Sequence, residues 1–155
     1  LSVDHKPNLP DEQRRIYAAN SYVEEQRVNG MLALSRALGD FDYKKNSNLS
    51  ARDQAVTAFP EIKSMQITPG DTEFLLLACD GIWDVMSSQV AVNYIHKECY
   101  GDQFQMEAKK RTHKELTQGM TNMFDECCAK DVVSSQGLGC DNMTAILVEF
   151  KSTPK

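Results

Sequence analysis

Two aspartates lie beside apolar runs that are typical of buried strands. Asp80 directly follows the run Phe74–Cys79 and precedes Gly81, and Asp141 comes shortly before the run Met143–Val148. A strand end holds a side chain rigidly, so a carboxylate there can face a bound ion with little loss of side-chain freedom. Carboxylate oxygens suit hard cations such as Mg²⁺ and Mn²⁺. Two aspartates at the ends of two strands predict a divalent-cation site, although Asp80 and Gly81 alone would favour an ordinary turn.

Several signatures of cysteine- and zinc-based sites do not occur in this sequence. The five cysteines are odd in number and contain no Cys-x-x-Cys pair, so neither a disulfide framework nor a zinc knuckle is indicated. No arginine stands six positions after Cys79, Cys99 or Cys127, where a Cys-dependent phosphatase would carry it. His113 and Glu115 have the spacing of zinc deaminases, but the Pro-Cys-x-x-Cys motif does not follow.

Composition limits the partners and the compartment that we expect. The chain has 155 residues, enough for a domain with a core, and a net charge of -5, which argues against nucleic-acid binding. No apolar stretch is long enough to span a membrane, and no signal-peptide pattern opens the chain. Free thiols favour a reducing compartment, so we expect an intracellular protein, cytoplasmic or nuclear. The sequence begins with Leu1 and no Met precedes it, so we expect this chain to be a piece of a longer protein.

The pattern of apolar and turn residues predicts strands that are grouped apart from helices. Such grouping is typical of an α+β fold with an antiparallel sheet. Asp11 and Glu12 fall in the first turn of the first helix, where the helix dipole favours acids, and Asn29 with Gly30 indicates a turn. The predicted strands are Leu1–Val3, Met31–Leu34, Ile62–Thr68, Glu73–Cys79 and Met143–Phe150, and the predicted helices are Pro10–Ala19, Ser87–Cys99 and Met106–Lys130.

Four segments are informative when they are taken together in chain order. They are Asp4–Pro7, Arg27–Asp40, Leu77–Asp84 and Gly139–Thr144. Together they closely resemble the C-terminal half of the protein phosphatase 2C family, the metal-dependent Ser/Thr phosphatases. The resemblance implies an α+β fold in which an antiparallel β-sandwich is flanked by helices, in four layers (αββα). It also implies that residues 1–150 are a partial catalytic domain, with a mobile flap at about residues 7–30 and a tail at 151–155.

The resemblance further implies a site with two Mn²⁺ or Mg²⁺ ions at one end of the sandwich. Asp80 and Asp141 match direct metal ligands of the family. Asp84 matches the carboxylate that, with Asp80, helps to hold a weakly bound third ion. No other catalytic residue of the family is matched, because its remaining acidic ligands and its phosphate-binding arginine would lie before Leu1.

Four further residues are candidates for supporting the metal ligands. Gly81 would let the chain turn sharply beside the ion, and Asn142 could donate a hydrogen bond to a ligand or a bound water. Arg36 and Asp40 indicate a structural pair or a turn, with a supporting role beside the ligands as the alternative.

The function implied is hydrolysis of phosphoserine and phosphothreonine in proteins. Two divalent ions would neutralise the dianionic phosphate ester and activate a water for attack. The expected partners are phosphoproteins and the N-terminal half of the domain. The alternative is a non-catalytic, phosphatase-like binding or regulatory module. The chain departs from the family in one place, where Ala19 and Asn20 replace a Gly-Gly pair. Because glycine adopts positive φ far more readily than alanine, the conformation of the flap does not follow from the resemblance.

Overall fold

The computed structural model describes residues 1–68, 74–101 and 111–150, and the chain divides into two compact units, Leu1–Gln66 and Ile67–Lys155. The predicted tail, residues 151–155, lies outside the described residues. Antiparallel strand pairs occur together with separate helices, so the predicted α+β class is confirmed. The elements are α1 (Pro10–Ala18), β1 (Val23–Glu24), β2 (Arg27–Val28), a 3₁₀ turn (Phe41–Tyr43), β3 (Phe74–Ala78), α2 (Asp80–Trp83), α3 (Ser88–Ile95), a π-helical turn (His96–Tyr100), α4 (His113–Cys127) and β4 (Ala145–Glu149).

The first unit is built on α1 and a short hairpin. Helix α1 begins at a proline, whose fixed φ suits the first helical position. Strands β1 and β2 pair antiparallel, and the two residues between them, Glu25 and Gln26, have φ of 47° and 62°. Positive φ at both positions matches the right-handed twist of a hairpin. The core of this unit consists of Ile16, Ala19, Val28, Ala55 and Val56.

Three of the predicted strands are wrong. Leu1–Val3 and Ile62–Thr68 are exposed and form no strand, and Met31–Leu34 contributes only an isolated bridge, from Leu32 to Val28. The bridge closes the turn that Asn29 and Gly30 make. A strand needs a neighbour for its N–H and C=O groups, and a local apolar pattern does not reveal whether one is present.

The second unit packs helices against one face of a two-stranded sheet. Strands β3 and β4 pair antiparallel from Phe74 opposite Glu149 to Ala78 opposite Ala145. Alternate side chains of both strands pack on a buried cluster that the helices supply. Strand β3 lies within the predicted strand 73–79, and β4 lies within the predicted strand 143–150. Residue 73 lies outside the described ranges. The buried cluster is Ile82, Met86, Ala91, Ile95, Met123 and Cys127.

Side-chain caps fix where two helices of this unit begin. The Ser87 hydroxyl accepts a hydrogen bond from the Val90 N–H, as expected for the start of α3. Helix α4 is shorter than predicted: Thr112 and Glu115 bond each other's backbone N–H in a capping box, so the helix starts at His113. The predicted residues 106–110 lie outside the described ranges. Within those ranges, no helix combines the length and apolar character needed to cross a membrane.

Candidate metal centre

The two aspartates predicted as direct metal ligands, Asp80 and Asp141, lie at the same edge of the β3–β4 sheet. Because the strands are antiparallel, the end of β3 adjoins the start of β4, where Ala78 pairs with Ala145. Asp80 follows this pair on one strand, and Asp141 precedes it on the other. Asp80 is the first residue of α2 and not the last of a strand, since its carbonyl accepts the Asp84 N–H at 2.8 Å.

A pocket of about 430 Å³ opens at this edge and contains two of the predicted ligands. Asp84 and Asp141 both line it. The loop between α4 and β4 supplies much of the remaining wall, including Gln136 and Gly139, whose φ values are 53° and 73°. Gly139 is required there, because a Cβ at this position would overlap the Cys127 carbonyl at the end of α4. The full lining is Gly81, Asp84, Val85, Gln136, Gly137, Leu138, Gly139 and Asp141.

The donor atoms at this edge suit a hard cation. Asp80, Asp84 and Asp141 are all exposed, so their carboxylates are accessible. One oxygen of Asp80 accepts the Gly81 N–H at 3.1 Å, and one oxygen of Asp141 accepts the Asn142 N–H at 2.7 Å. Exposed carboxylate oxygens are what Mg²⁺ and Mn²⁺ prefer. In the part of the chain that the structure describes, however, no three Asp, Glu, His or Cys side chains gather into a metal-binding group.

Gly81 is buried against the chain segment that follows Asp141. A Cβ on Gly81 would overlap the carbonyl oxygen of Asn142 and lie 3.3 Å from Cγ of Met143. Glycine is therefore needed for close approach, whereas the sequence suggested only a sharp turn. The contact of Asn142 is made by its backbone, and a hydrogen bond from its side chain to a ligand stays a prediction.

Arg36 and Asp40, the other two candidates, belong to the first unit. Nε of Arg36 donates to Oε1 of Glu12 at 3.0 Å, and its NH1 group donates to the Phe59 carbonyl at 3.2 Å. Asp40 has φ of 48° and directly precedes the 3₁₀ turn Phe41–Tyr43. Arg36 thus holds Glu12 and the Phe59 carbonyl, and Asp40 lies at the start of a turn. A role of either residue at the metal stays a prediction.

Glu12 is the buried charge that the sequence did not reveal. Its side chain is buried, and it accepts hydrogen bonds from Arg15 at 2.6 Å, from Ser35 at 2.7 Å and from Arg36. Burial alone would raise the pKa of Glu12, but the hydrogen bonds from Arg36, Ser35 and Arg15 outweigh it and lower the pKa to about 2. The sequence feature that could have revealed this burial is the separation of Glu12 and Ile16 by four residues, which places both on the same, buried face of α1.

Comparison with protein families matches residues 1–134 to the family model described as protein phosphatase 2C. This match covers most of the chain. The chain belongs to the protein phosphatase 2C family. Similar curated proteins include protein phosphatase 2C homolog 2 of Schizosaccharomyces pombe, 47% identical over 150 residues, which are 97% of this chain and 37% of that protein. The homolog 2 of Hypocrea jecorina is 45% identical over 97% of this chain and 31% of its own length. The chain thus spans about a third of these relatives.

Solved structures agree with this family. A phosphatase from a pathogenic strain of Toxoplasma gondii superposes with a TM-score of 0.71 at 32% identity, over 99% of this chain and 42% of that one. Serine-threonine phosphatase 2C from Toxoplasma gondii gives 0.62 at 25% identity, over 97% of this chain and 46% of that one. The fold is therefore that of a protein phosphatase 2C, present here as part of the domain.

The structure accommodates the departure from the Gly-Gly pair of the family. Ala19 has φ of -84°, and its side chain is buried in the core of the first unit. Asn20 has φ of 60°, in the left-handed region that asparagine tolerates better than most residues. The chain can therefore leave α1 without glycine.

Proposed function

We propose that the protein carrying this chain is a Mn²⁺- or Mg²⁺-dependent phosphatase that hydrolyses phosphoserine and phosphothreonine in proteins. The observation that carries the proposal is the pocket that Asp84 and Asp141 both line, at the sheet edge beside Asp80. Membership of the protein phosphatase 2C family supports the same reaction.

The carboxylates of this chain would hold part of a metal centre. Asp80 and Asp141 would be direct ligands of two ions, and Asp84, together with Asp80, would help to bind a third ion more weakly. When bound, these ions would supply charge neutralisation of the phosphate and a lowered pKa for the attacking water. Attack by water on phosphorus would break the bond to the serine or threonine oxygen, which takes a proton and leaves as the hydroxyl. The other ligands would come from the rest of the domain.

We also propose the organisation around this centre. Residues 1–150 would be the C-terminal part of the catalytic domain, in which residues 7–30 would form a flap that shapes substrate choice. Phosphoproteins would be the substrates. An intracellular location is supported by five free cysteines.

The test is hydrolysis of p-nitrophenyl phosphate by the full-length protein, with Mn²⁺ and with EDTA, for the wild type and for D80A and D141A. Loss of a residue that only supports a ligand typically costs about 10- to 100-fold, so loss of a direct ligand should cost at least roughly 100-fold. D125A, which removes an exposed carboxylate on α4, is the matched control and should retain activity. Activity near that of wild type in D80A or D141A would refute the site, and an inactive wild type would favour the non-catalytic alternative.

A further inference from the structure

The side chain of Cys79 lies between the two segments that carry the predicted metal ligands. The Thr144 N–H donates to Sγ of Cys79 at 3.2 Å, and Sγ donates to the Asn142 carbonyl at 3.4 Å. The N–H of Cys79 also donates to the Thr144 carbonyl at 3.0 Å. One residue, adjacent to Asp80, is therefore bonded three times to the segment that follows Asp141.

These bonds act where the regular strand pairing has already ended. The ladder of β3 and β4 closes at Ala78 and Ala145, so the positions of Asp80 and Asp141 depend on contacts beyond it. Gly81 contributes by fitting against Asn142 without a Cβ. Carboxylates at one sheet edge repel each other when no cation lies between them. A tie between the two segments opposes that repulsion.

We propose that Cys79 is a positioning residue: its thiol fixes the segments of Asp80 and Asp141 at the spacing that binds the divalent cation. The inference rests on the proposed function, and extends it to a residue that coordinates nothing. A thiol can do this because it is a weak donor and a weak acceptor at once, so it can serve the carbonyl of Asn142 and the N–H of Thr144 together.

The experiment compares C79V with C79S in the full-length protein. Valine keeps the approximate bulk of cysteine and suits the extended backbone of Cys79, but it has no hydrogen-bonding group. Serine is smaller and restores both a donor and an acceptor. The readouts are the Kd for Mn²⁺ by titration calorimetry, the melting temperature of the metal-free protein by circular dichroism, and kcat and KM at saturating Mn²⁺. C128V, which changes an exposed cysteine after α4, is the matched control.

We expect C79V to weaken Mn²⁺ binding about tenfold, as loss of a residue supporting a ligand does, with C79S staying within about threefold of wild type. KM at saturating Mn²⁺ should stay unchanged. Equal affinities in wild type and C79V, or equal losses in C79S and C79V, would overturn the inference and leave the proposed function intact. If C79V is unfolded, the result for C79S decides. A folded C79S that binds Mn²⁺ at least about tenfold more weakly than wild type overturns the inference. A C79S that retains its affinity for Mn²⁺ supports it. A wild type that binds no Mn²⁺ would overturn both proposals.

Discussion

At the scale of single residues, Glu12 shows how a buried charge can stabilise a loop-rich unit. Its relative exposure is 2%, and it is held by two arginines and a serine. A buried carboxylate without partners would be unfavourable, whereas one with several donors remains ionised. The group joins α1 to the segment around Ser35 and Arg36, where regular strand pairing is minimal.

Replacing Glu12 should destabilise the protein at neutral pH and change its response to acid. E12Q keeps the shape but loses the negative charge beside Arg15 and Arg36, and breaking one side of a buried ion pair costs about 3–5 kcal/mol. Because the folded pKa is lowered to about 2 from 4.5, the stabilisation is present above 4.5 and is lost as the pH falls from 4.5 towards 2. Urea unfolding at pH 7 and at pH 3 should show a smaller difference between E12Q and wild type at pH 3.

The matched control is E25Q, which removes an exposed acid of the same unit. Its unfolding free energy should stay within about 0.5 kcal/mol of wild type, as for ordinary surface changes. An E12Q protein as stable as E25Q at pH 7 would contradict the ion-pair interpretation.

At the scale of elements, the start of α4 depends on side chains more than on periodicity. The apolar spacing within 116–127 predicted the helix correctly, but it could not fix the start, because periodicity does not report where the unpaired N–H groups are satisfied. The sequence Thr112-x-x-Glu115 was the signal that locates it.

Removing this cap should destabilise α4. T112A loses the hydroxyl that accepts the Glu115 N–H, at a cost of about 1 kcal/mol. T117A, in the middle of the same helix and exposed, should be neutral or slightly stabilising, because alanine favours helix more than threonine does. Chemical denaturation of both variants measures the difference. Equal stability of T112A and T117A would show that the cap contributes nothing.

How much of the molecule could be predicted from sequence depends on the element. The apolar runs of β3 and β4 and the aspartates beside them were evident, since a short apolar run bounded by turn residues is consistent with a buried strand. The hairpin at Glu25 and Gln26 was not, because neither residue is a usual choice at positive φ. The role of Cys79 was also hidden, since it depends on a contact with Thr144, far along the chain.

At the scale of the whole molecule, the sheet of the second unit has an apolar face that the described residues leave open. Leu77 and Ile146 are paired across the strands and are 48% and 60% exposed, and Val148 beside them is 39% exposed. The opposite face of the same strands packs on the helices. Contiguous apolar surface of this kind is typical of an interface or of an association liability.

The chain of 155 residues, produced alone, should therefore associate with itself. Sedimentation velocity at increasing protein concentration should show a rising average mass. I146K places a charge on this face and should reduce the association, whereas Q118K, an exposed position on α4, should not. A monodisperse monomer at all concentrations would contradict the expectation.

The register of β3 and β4 also sets an order of events in folding. Ala78 pairs with Ala145, so the sheet edge bearing Asp80 and Asp141 closes a loop that contains α2, α3 and α4. Contacts between residues so distant in sequence form slowly, because the entropy of closing the loop is lost before the pairing compensates for it. During synthesis, the helices can form while β4 is still inside the ribosome. The two aspartates are then brought together only when β4 emerges, so the sheet edge that carries the predicted metal ligands is completed only after α4 has been made.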